Sequence, residues 1–303
     1  MRSNVKEAGD TDQFKWSNLS PLQAGRYAEH LVTMEFTSRI EARFRELRER
    51  GAKGLIVYLT AGDPSLDATG EILAALERAG VDIIELGVPF SDPLADGPVI
   101  QRASERALRA GATLRKILER FPHWRQAVRT PVILFSYFNP LLQYGIEQLA
   151  RDAAQCGVDG VLAVDLTPEE AEDYVKTLHA HNLDTVFLAS PTSTDERLER
   201  AAKLSSGFLY LISRTGVTGE RDDVAQTVPV MVERARRRTA LPLAVGFGIS
   251  KPEQVRQIQK LADAAVVGSA VVHAIEERYP KEGAMAIERF VRWLREGSGG
   301  KPV

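Results

Sequence analysis

The stretch GLIVYLTAGDPSLDATGEILAALERAGVDIIELGV, residues 54–88, decides the fold. It opens on an almost wholly apolar run, GLIVYLTAG (54–62), and closes on another, VDIIELGV (81–88). Between them LDATGEILAALERAG places apolar residues at helical spacing and stops at a glycine. Short strands that are apolar on both faces belong to a parallel sheet covered on both sides. A strand, a helix and a second strand in that order form the unit from which such sheets are built.

The alternation continues along the chain. Further strands are predicted at PVILFSYFN (131–139), GVLAVDL (160–166), DTVFLAS (184–190), GFLYLISR (207–214), PLAVGFGI (242–249) and AAVVGSAVV (264–272). Helices such as GIEQLARDAAQCG, EEAEDYVKTLHAHN, DERLERAAKLSS and PEQVRQIQKLA separate them, and GAMAIERFVRWLREG is the last. Eight such repeats closing on themselves make an α/β (β/α)8 TIM barrel. A doubly wound open sheet would carry G-x-G-x-x-G after its first strand, where this chain has TAGDPS. Ahead of the first strand, SRIEARFRELRERG predicts an extra N-terminal helix with Ile40, Phe44 and Leu47 on one face. Residues 1–37 are polar and aperiodic and are expected to be an extension, with Met34 as a second candidate start. The catalytic barrel is expected over 38–297 and a flexible tail over 298–303.

Composition narrows the function. Lys and Arg total 39 against 41 Asp and Glu, so no globally basic nucleic-acid footprint exists. The longest basic run, Arg236 to Arg238, ends a predicted helix and suits its C-terminal dipole. The single cysteine, Cys156, rules out a disulfide framework and reads as a small buried residue. The five histidines show no metal spacing, and no metal is expected. No apolar run is long enough for a membrane span, and the first residues do not read as a targeting segment, so a cytoplasmic protein is expected.

Catalytic groups in such barrels come from the C-terminal ends of the strands. Polar residues of this chain fall there: Asp63, Glu85, Tyr137, Asn139, Asp165, Tyr210, Ser213 and Arg214. Strand alternation puts Ile83, Glu85 and Gly87 on one face and Ile84, Leu86 and Val88 on the helix-facing other. Glu85 then points into the barrel mouth, where burial should raise its pKa and suit it to proton donation. A salt-bridged structural glutamate is the alternative. Asp96, in SDPLADGP, reads by itself equally as a turn aspartate. Asp92, in the same loop, is expected to cap the next helix or to meet a partner. Glycine-bearing turns follow strands 6, 7 and 8 at Gly216–Gly219, Gly246–Gly248 and Gly268–Ser269. They suit phosphate held by backbone N–H groups. The polar loop RTGVTGERDD (214–223) reads either as a lid or as an ordinary surface loop.

LTAGDP (59–64), ELGVPFSDPLADGPVIQRAS (85–104), SYFNP (136–140), SRTGVTG (213–219), GFGIS (246–250) and GSAVV (268–272) together resemble the tryptophan synthase α subunit family. The resemblance spans residues 38–297. It implies a lyase of tryptophan biosynthesis that splits indole-3-glycerol phosphate into indole and glyceraldehyde 3-phosphate by a retro-aldol route. On that resemblance Glu85 is the general acid/base and Asp96 holds the indole N–H. Tyr137 and Tyr210 line the substrate pocket, and Thr218 meets Asp96 when the lid closes. Gly219, Gly248, Gly268 and Ser269 carry phosphate. The resemblance also implies an α2β2 heterotetramer in which a β subunit takes the indole. Pyridoxal phosphate belongs to that partner and no cofactor to this chain, while Asp92 and the Pro89–Pro93 loop lie near the interface. A stand-alone indole-releasing lyase, a catalytically idle regulatory subunit and a sugar-phosphate isomerase are the competing readings. One departure is Thr167, which stands where the family commonly has proline and is expected to loosen that turn.

Overall fold

Ser38 caps the first helix, α1 (Arg39–Glu49), its hydroxyl accepting from the Glu41 backbone N–H at 3.0 Å. Ile40, Phe44 and Leu47 are buried along one face of α1, as the spacing predicts. The computed structural model describes residues 38–212, 224–246 and 248–297. The N-terminal extension, the tail and the 213–223 loop lie outside the described residues.

Among the described residues, nine parallel strand segments form one curled sheet. They are β1 (Gly54–Thr60), β2 (Ile83–Gly87), β3 (Val132–Ser136), β4 (Gly160–Ala163), β5 (Asp184–Thr185), β6 (Leu188–Ala189), β7 (Leu209–Ile212), β8 (Leu243–Gly246) and β9 (Ala264–Val267). Their order is β5-β4-β3-β2-β1-β9-β8-β7-β6. The two ends of this order are two halves of one stretch of chain. β5 pairs with β4, β6 pairs with β7, and only Val186 and Phe187 separate them. Val186 N–H donates to Val161 and Phe187 C=O accepts from Tyr210, so the ladders run on across the break. The fifth barrel strand thus closes the sheet by bonding one neighbour with its first half and the other with its second.

The helices follow the strands. They are α2 (Leu66–Arg78), α3 (Pro98–Arg109), α4 (Leu114–Arg125), α5 (Phe138–Tyr144), α6 (Ile146–Cys156), α7 (Glu172–Ala180), α8 (Asp195–Leu204), α9 (Val224–Arg236), α10 (Pro252–Gln259), α11 (Ser269–Glu282) and α12 (Ala284–Glu296). Ser65, Thr113 and Thr194 cap α2, α4 and α8 through hydroxyls that accept backbone N–H bonds.

Strand alternation divides the core in two. Leu55, Val57, Leu59, Ile84, Leu86, Val132, Leu134 and their counterparts face the helices. Ile56, Ile83, Ile133, Leu162, Val186, Ala244, Ala264 and Val266 fill the barrel, joined from below by Ile40, Phe44 and Leu47. Helix α1 is therefore a plug for the bottom of the barrel, with Phe44 stacked 5.8 Å from Phe208. The same end carries a repeated device. Asp82, Asp159 and Asp263 each precede a strand by one residue. Each carboxylate accepts the first or second backbone N–H of the strand before, from Leu55, Val132 and Leu243 at 2.8, 2.7 and 2.9 Å. Arg125 and Arg39 neutralise Asp159.

Strand ends differ from the sequence expectation at two functional places. The apolar run 131–139 leaves the sheet after Ser136, and Phe138 and Asn139 already belong to α5. The run 264–272 leaves it after Val267, so Ser269 opens α11. Both segments are largely apolar on either side of the change, so period alone could not separate strand end from helix start. Thr167 sits at φ −77°, a value proline also adopts.

Candidate active site

Glu85 is central. It lies on the inward face of β2, 1% exposed, with Tyr58 of β1 and Ile133 of β3 as its register partners. Its Oε1 finds no hydrogen-bond partner among the described residues. The strong desolvation of this carboxyl pushes its pKa up to about 8. A salt-bridged structural glutamate would look different: it would have a cation beside it and a lowered pKa.

Asp96 comes from the segment between β2 and α3. Its backbone N–H bonds to Pro93 and its carbonyl accepts from the Gln101 side chain at 2.9 Å. Its Oδ2 accepts from the Tyr137 hydroxyl at 3.1 Å, and that hydroxyl in turn accepts from the Ala95 N–H at 2.9 Å. Burial pushes the Asp96 pKa up to about 6, against the downward pull of the Tyr137 bond. Gln101 and the Tyr137 hydroxyl therefore hold the loop on either side of the carboxylate. Asp92 does not cap α3, whose cap is Gly97. It is exposed and accepts from Ser91.

Two tyrosines complete the mouth by the same construction. Tyr210 of β7 leans over Gly246 of β8, and Tyr58 of β1 leans over Gly87 of β2. A methyl group at Gly246 would fall 2.4 Å from the Tyr210 hydroxyl, and one at Gly87 only 2.2 Å from that of Tyr58. Glycine is required at both positions by this close approach. Tyr58 also stacks edge-on with Phe135 at 5.1 Å and its hydroxyl lies 3.3 Å from that of Thr60. Burial first, then the nearby Asp96 carboxylate, holds the Tyr58 phenol far above its ordinary range; burial and Glu85 do the same for Tyr210. Tyr58 is not among the polar residues expected at the strand ends. The signal was present, since Ile56, Tyr58 and Thr60 alternate inward just as Ile83, Glu85 and Gly87 do.

The anticipated phosphate groups are split by what is described. Gly268 is the N-cap of α11 and Ser269 its first residue, with no side chain capping that terminus. Gly248 has φ +46°, and no described residue lies within 4 Å of where its Cβ would stand. Thr218 and Gly219, with Ser213 and Arg214, lie outside the described residues. No cluster of three or more His, Cys, Asp or Glu suited to a metal occurs among the described residues. Cys156 is buried and its thiol is pushed up to about 11 by desolvation, the opposite of an activated nucleophile.

A buried carboxyl with no partner for its Oε1 among the described residues, and a second carboxyl whose pKa burial raises, both act on the Tyr58 phenol, and two such groups suit proton transfer. The model of the tryptophan synthase alpha chain family matches residues 44–296. The chain belongs to the tryptophan synthase alpha chain family. It is 51% identical over 265 residues to the tryptophan synthase alpha chain of Solibacter usitatus, covering 87% of this chain and 99% of that one. The alpha chain of a Roseiflexus species is 49% identical, over 85% and 99% of the two chains. Among solved structures, the alpha subunit from Legionella pneumophila superposes with a TM-score of 0.78 at 36% identity, over 86% and 97% of the chains. A chain of Mycobacterium tuberculosis tryptophan synthase superposes at 0.76 and 39%, over 83% and 98%. Membership of the tryptophan synthase alpha chain family makes this chain a lyase of tryptophan biosynthesis.

Proposed function

We propose that the chain cleaves indole-3-glycerol phosphate with Glu85 as the proton carrier and Asp96 as the partner of the indole nitrogen. The observation that carries this is the buried Glu85 carboxyl, whose Oε1 has no hydrogen-bond partner among the described residues and whose pKa is pushed up to about 8, so that it is protonated near neutral pH. It gives its proton to the ring carbon that bears the glycerol chain, which leaves positive charge shared with the ring nitrogen. The Asp96 carboxylate, ionised above about pH 6, meets the N–H and stabilises that charge. The Glu85 carboxylate then takes the proton from the hydroxyl on the adjacent chain carbon. The carbon–carbon bond breaks, its electron pair returns to the ring and the hydroxyl carbon becomes the aldehyde. The products are indole and glyceraldehyde 3-phosphate, and Glu85 ends protonated as it began.

Tyr58, Tyr137 and Tyr210 give the pocket its aromatic wall. Gly248, Gly268 and Ser269, together with Gly219, hold the phosphate. The N-terminus of α11, whose N-cap Gly268 has no side chain to bond its backbone N–H groups, supports this, since such groups favour an anion.

The product indole passes to a β subunit in an α2β2 assembly, and pyridoxal phosphate belongs to that subunit. The exposed Asp92 and the neighbouring Leu94, 89% exposed, support an interface beside the mouth. Assay of the purified chain for indole release from indole-3-glycerol phosphate, with and without a β subunit, tests the whole. Indole release strongly raised by the partner is expected. Full activity without it would favour a stand-alone lyase, and no release in either case would leave only an idle regulatory subunit.

A further inference from the structure

Asp63 is a buried carboxylate that the proposed chemistry does not use. It is 2% exposed and follows β1 at the barrel mouth. Arg106 of α3 binds it through two parallel bonds, Nε to Oδ1 and Nη2 to Oδ2, both 2.8 Å. The remaining arm of Arg106, Nη1, reaches Glu276 of α11 at 2.6 Å. Arg102, one turn earlier on α3, binds both oxygens of Glu276 at 3.1 and 2.9 Å. One guanidinium thus ties together the end of β1, helix α3 and helix α11.

Those elements carry the two ends of the candidate site. Helix α3 starts directly after Asp96 and Gly97, and α11 starts directly after Gly268. Arg106 lies about two turns into α3 and Glu276 about two turns into α11. Beside the ion pairs an apolar cluster joins the helices: Ala103 of α3 and Val272 of α11 meet Tyr58, and Val99 and Ile100 of α3 pack against it. A planar guanidinium held in two bonds by a buried carboxylate is a stiff joint, because the fork permits one orientation.

We propose that Arg106 is a positioning residue that fixes the distance between Asp96 and the N-terminus of α11, and so selects ligands in which an indole ring and a phosphate are joined at one chain length. The inference rests on the substrate reading above. Joining two fragments raises affinity only when their subsites are held at matching separation. A loosened joint leaves each subsite intact and removes the advantage of the link.

The test compares three ligands on the full chain: inorganic phosphate, indole, and an indole joined to phosphate through a three-carbon chain. Removing Arg106 outright would strand Asp63, so the variants are Arg106→Lys, which keeps the charge and loses the fork, and Glu276→Gln, which keeps the Asp63 pair. Melting temperatures identify the conditions under which both are folded. In Arg106→Lys the joined ligand should weaken by about tenfold or more while phosphate and indole stay within about twofold. Glu276→Gln should show the same pattern at smaller size. Joined ligand and fragments weakening in parallel, or no change in any, would overturn the inference. A wild-type chain that binds the joined ligand no better than phosphate alone would instead overturn the substrate reading, and the inference with it.

Discussion

The Tyr137 hydroxyl donates to Asp96 Oδ2 at 3.1 Å while accepting from the Ala95 N–H, so one phenol both orients the Asp96 carboxylate and keeps it ionisable. Its bond opposes the burial that raises the Asp96 pKa. Tyr137→Phe should therefore move that pKa further above 6. The acid limb of the kcat/KM profile for indole release should shift upward by the same interval. Activity near neutral pH should fall several-fold, as expected for one lost hydrogen bond to a charged group. An acid limb that stays in place would separate Asp96 from that limb.

The wild-type profile itself should be bell-shaped. Asp96 must be ionised, which sets the rise near pH 6, and Glu85 must be protonated, which sets the fall near pH 8. Steady-state kcat/KM between pH 5 and 9 measures both limbs. A profile flat through pH 8 would be inconsistent with Glu85 as the acid.

Glu85 also links stability to pH. Its folded pKa near 8 exceeds the ordinary 4.5, so the folded chain keeps a proton that the unfolded chain has lost. Its contribution is complete below about pH 4.5 and is lost as pH rises towards 8. Glu85→Gln removes this dependence. The variant should be more stable than the wild type at pH 9, by an amount on the order of a few kcal/mol, and lose that advantage at pH 5. Thermal unfolding of both proteins across this range provides the check.

Gly87→Ala should damage the site from beneath. The added methyl would lie 2.2 Å from the Tyr58 hydroxyl and 2.5 Å from its ring carbon, so the whole side chain must move. A cost of about 1–3 kcal/mol is expected, with reduced activity. Tyr58→Val in the same chain should restore part of the stability. Denaturant unfolding of the single and double variants shows whether the two changes couple.

Tyr174 presents the reverse case. Its hydroxyl is buried and finds no hydrogen-bond partner among the described residues, while its ring meets Phe138 edge-on at 6.0 Å. Tyr174→Phe keeps the ring contact and removes the stranded group. It should leave stability unchanged or raise it by up to about 1 kcal/mol, as read from the melting temperature. A clear loss would mean that the hydroxyl is bonded in solution.

Much of this architecture was legible in the sequence because strand parity is strict. Counting by twos from Ile83 put Glu85 inside the barrel and Leu86 outside, and both are found there. The helical spacing of Ile40, Phe44 and Leu47 likewise located the plug. What parity could not supply was the point where a largely apolar run changes from strand to helix. For that reason Tyr137 and Ser269 were placed in strands, although one caps a helix and the other opens one. Asp96 was ambiguous alone, because its environment comes from Tyr137, 41 residues away. The Asp63–Arg106–Glu276 joint was out of reach for the same reason, since its partners lie 43 and 170 residues apart.

The central claim concerns the proton that Glu85 carries, and Glu85→Gln tests it most directly. Glutamine keeps the size of the side chain and suits the buried site, but it cannot give a proton and take it back. With indole-3-glycerol phosphate as substrate, kcat for indole release should fall by about 10²-fold or more while the substrate still binds with near wild-type affinity. Turnover close to that of the wild type would contradict the account.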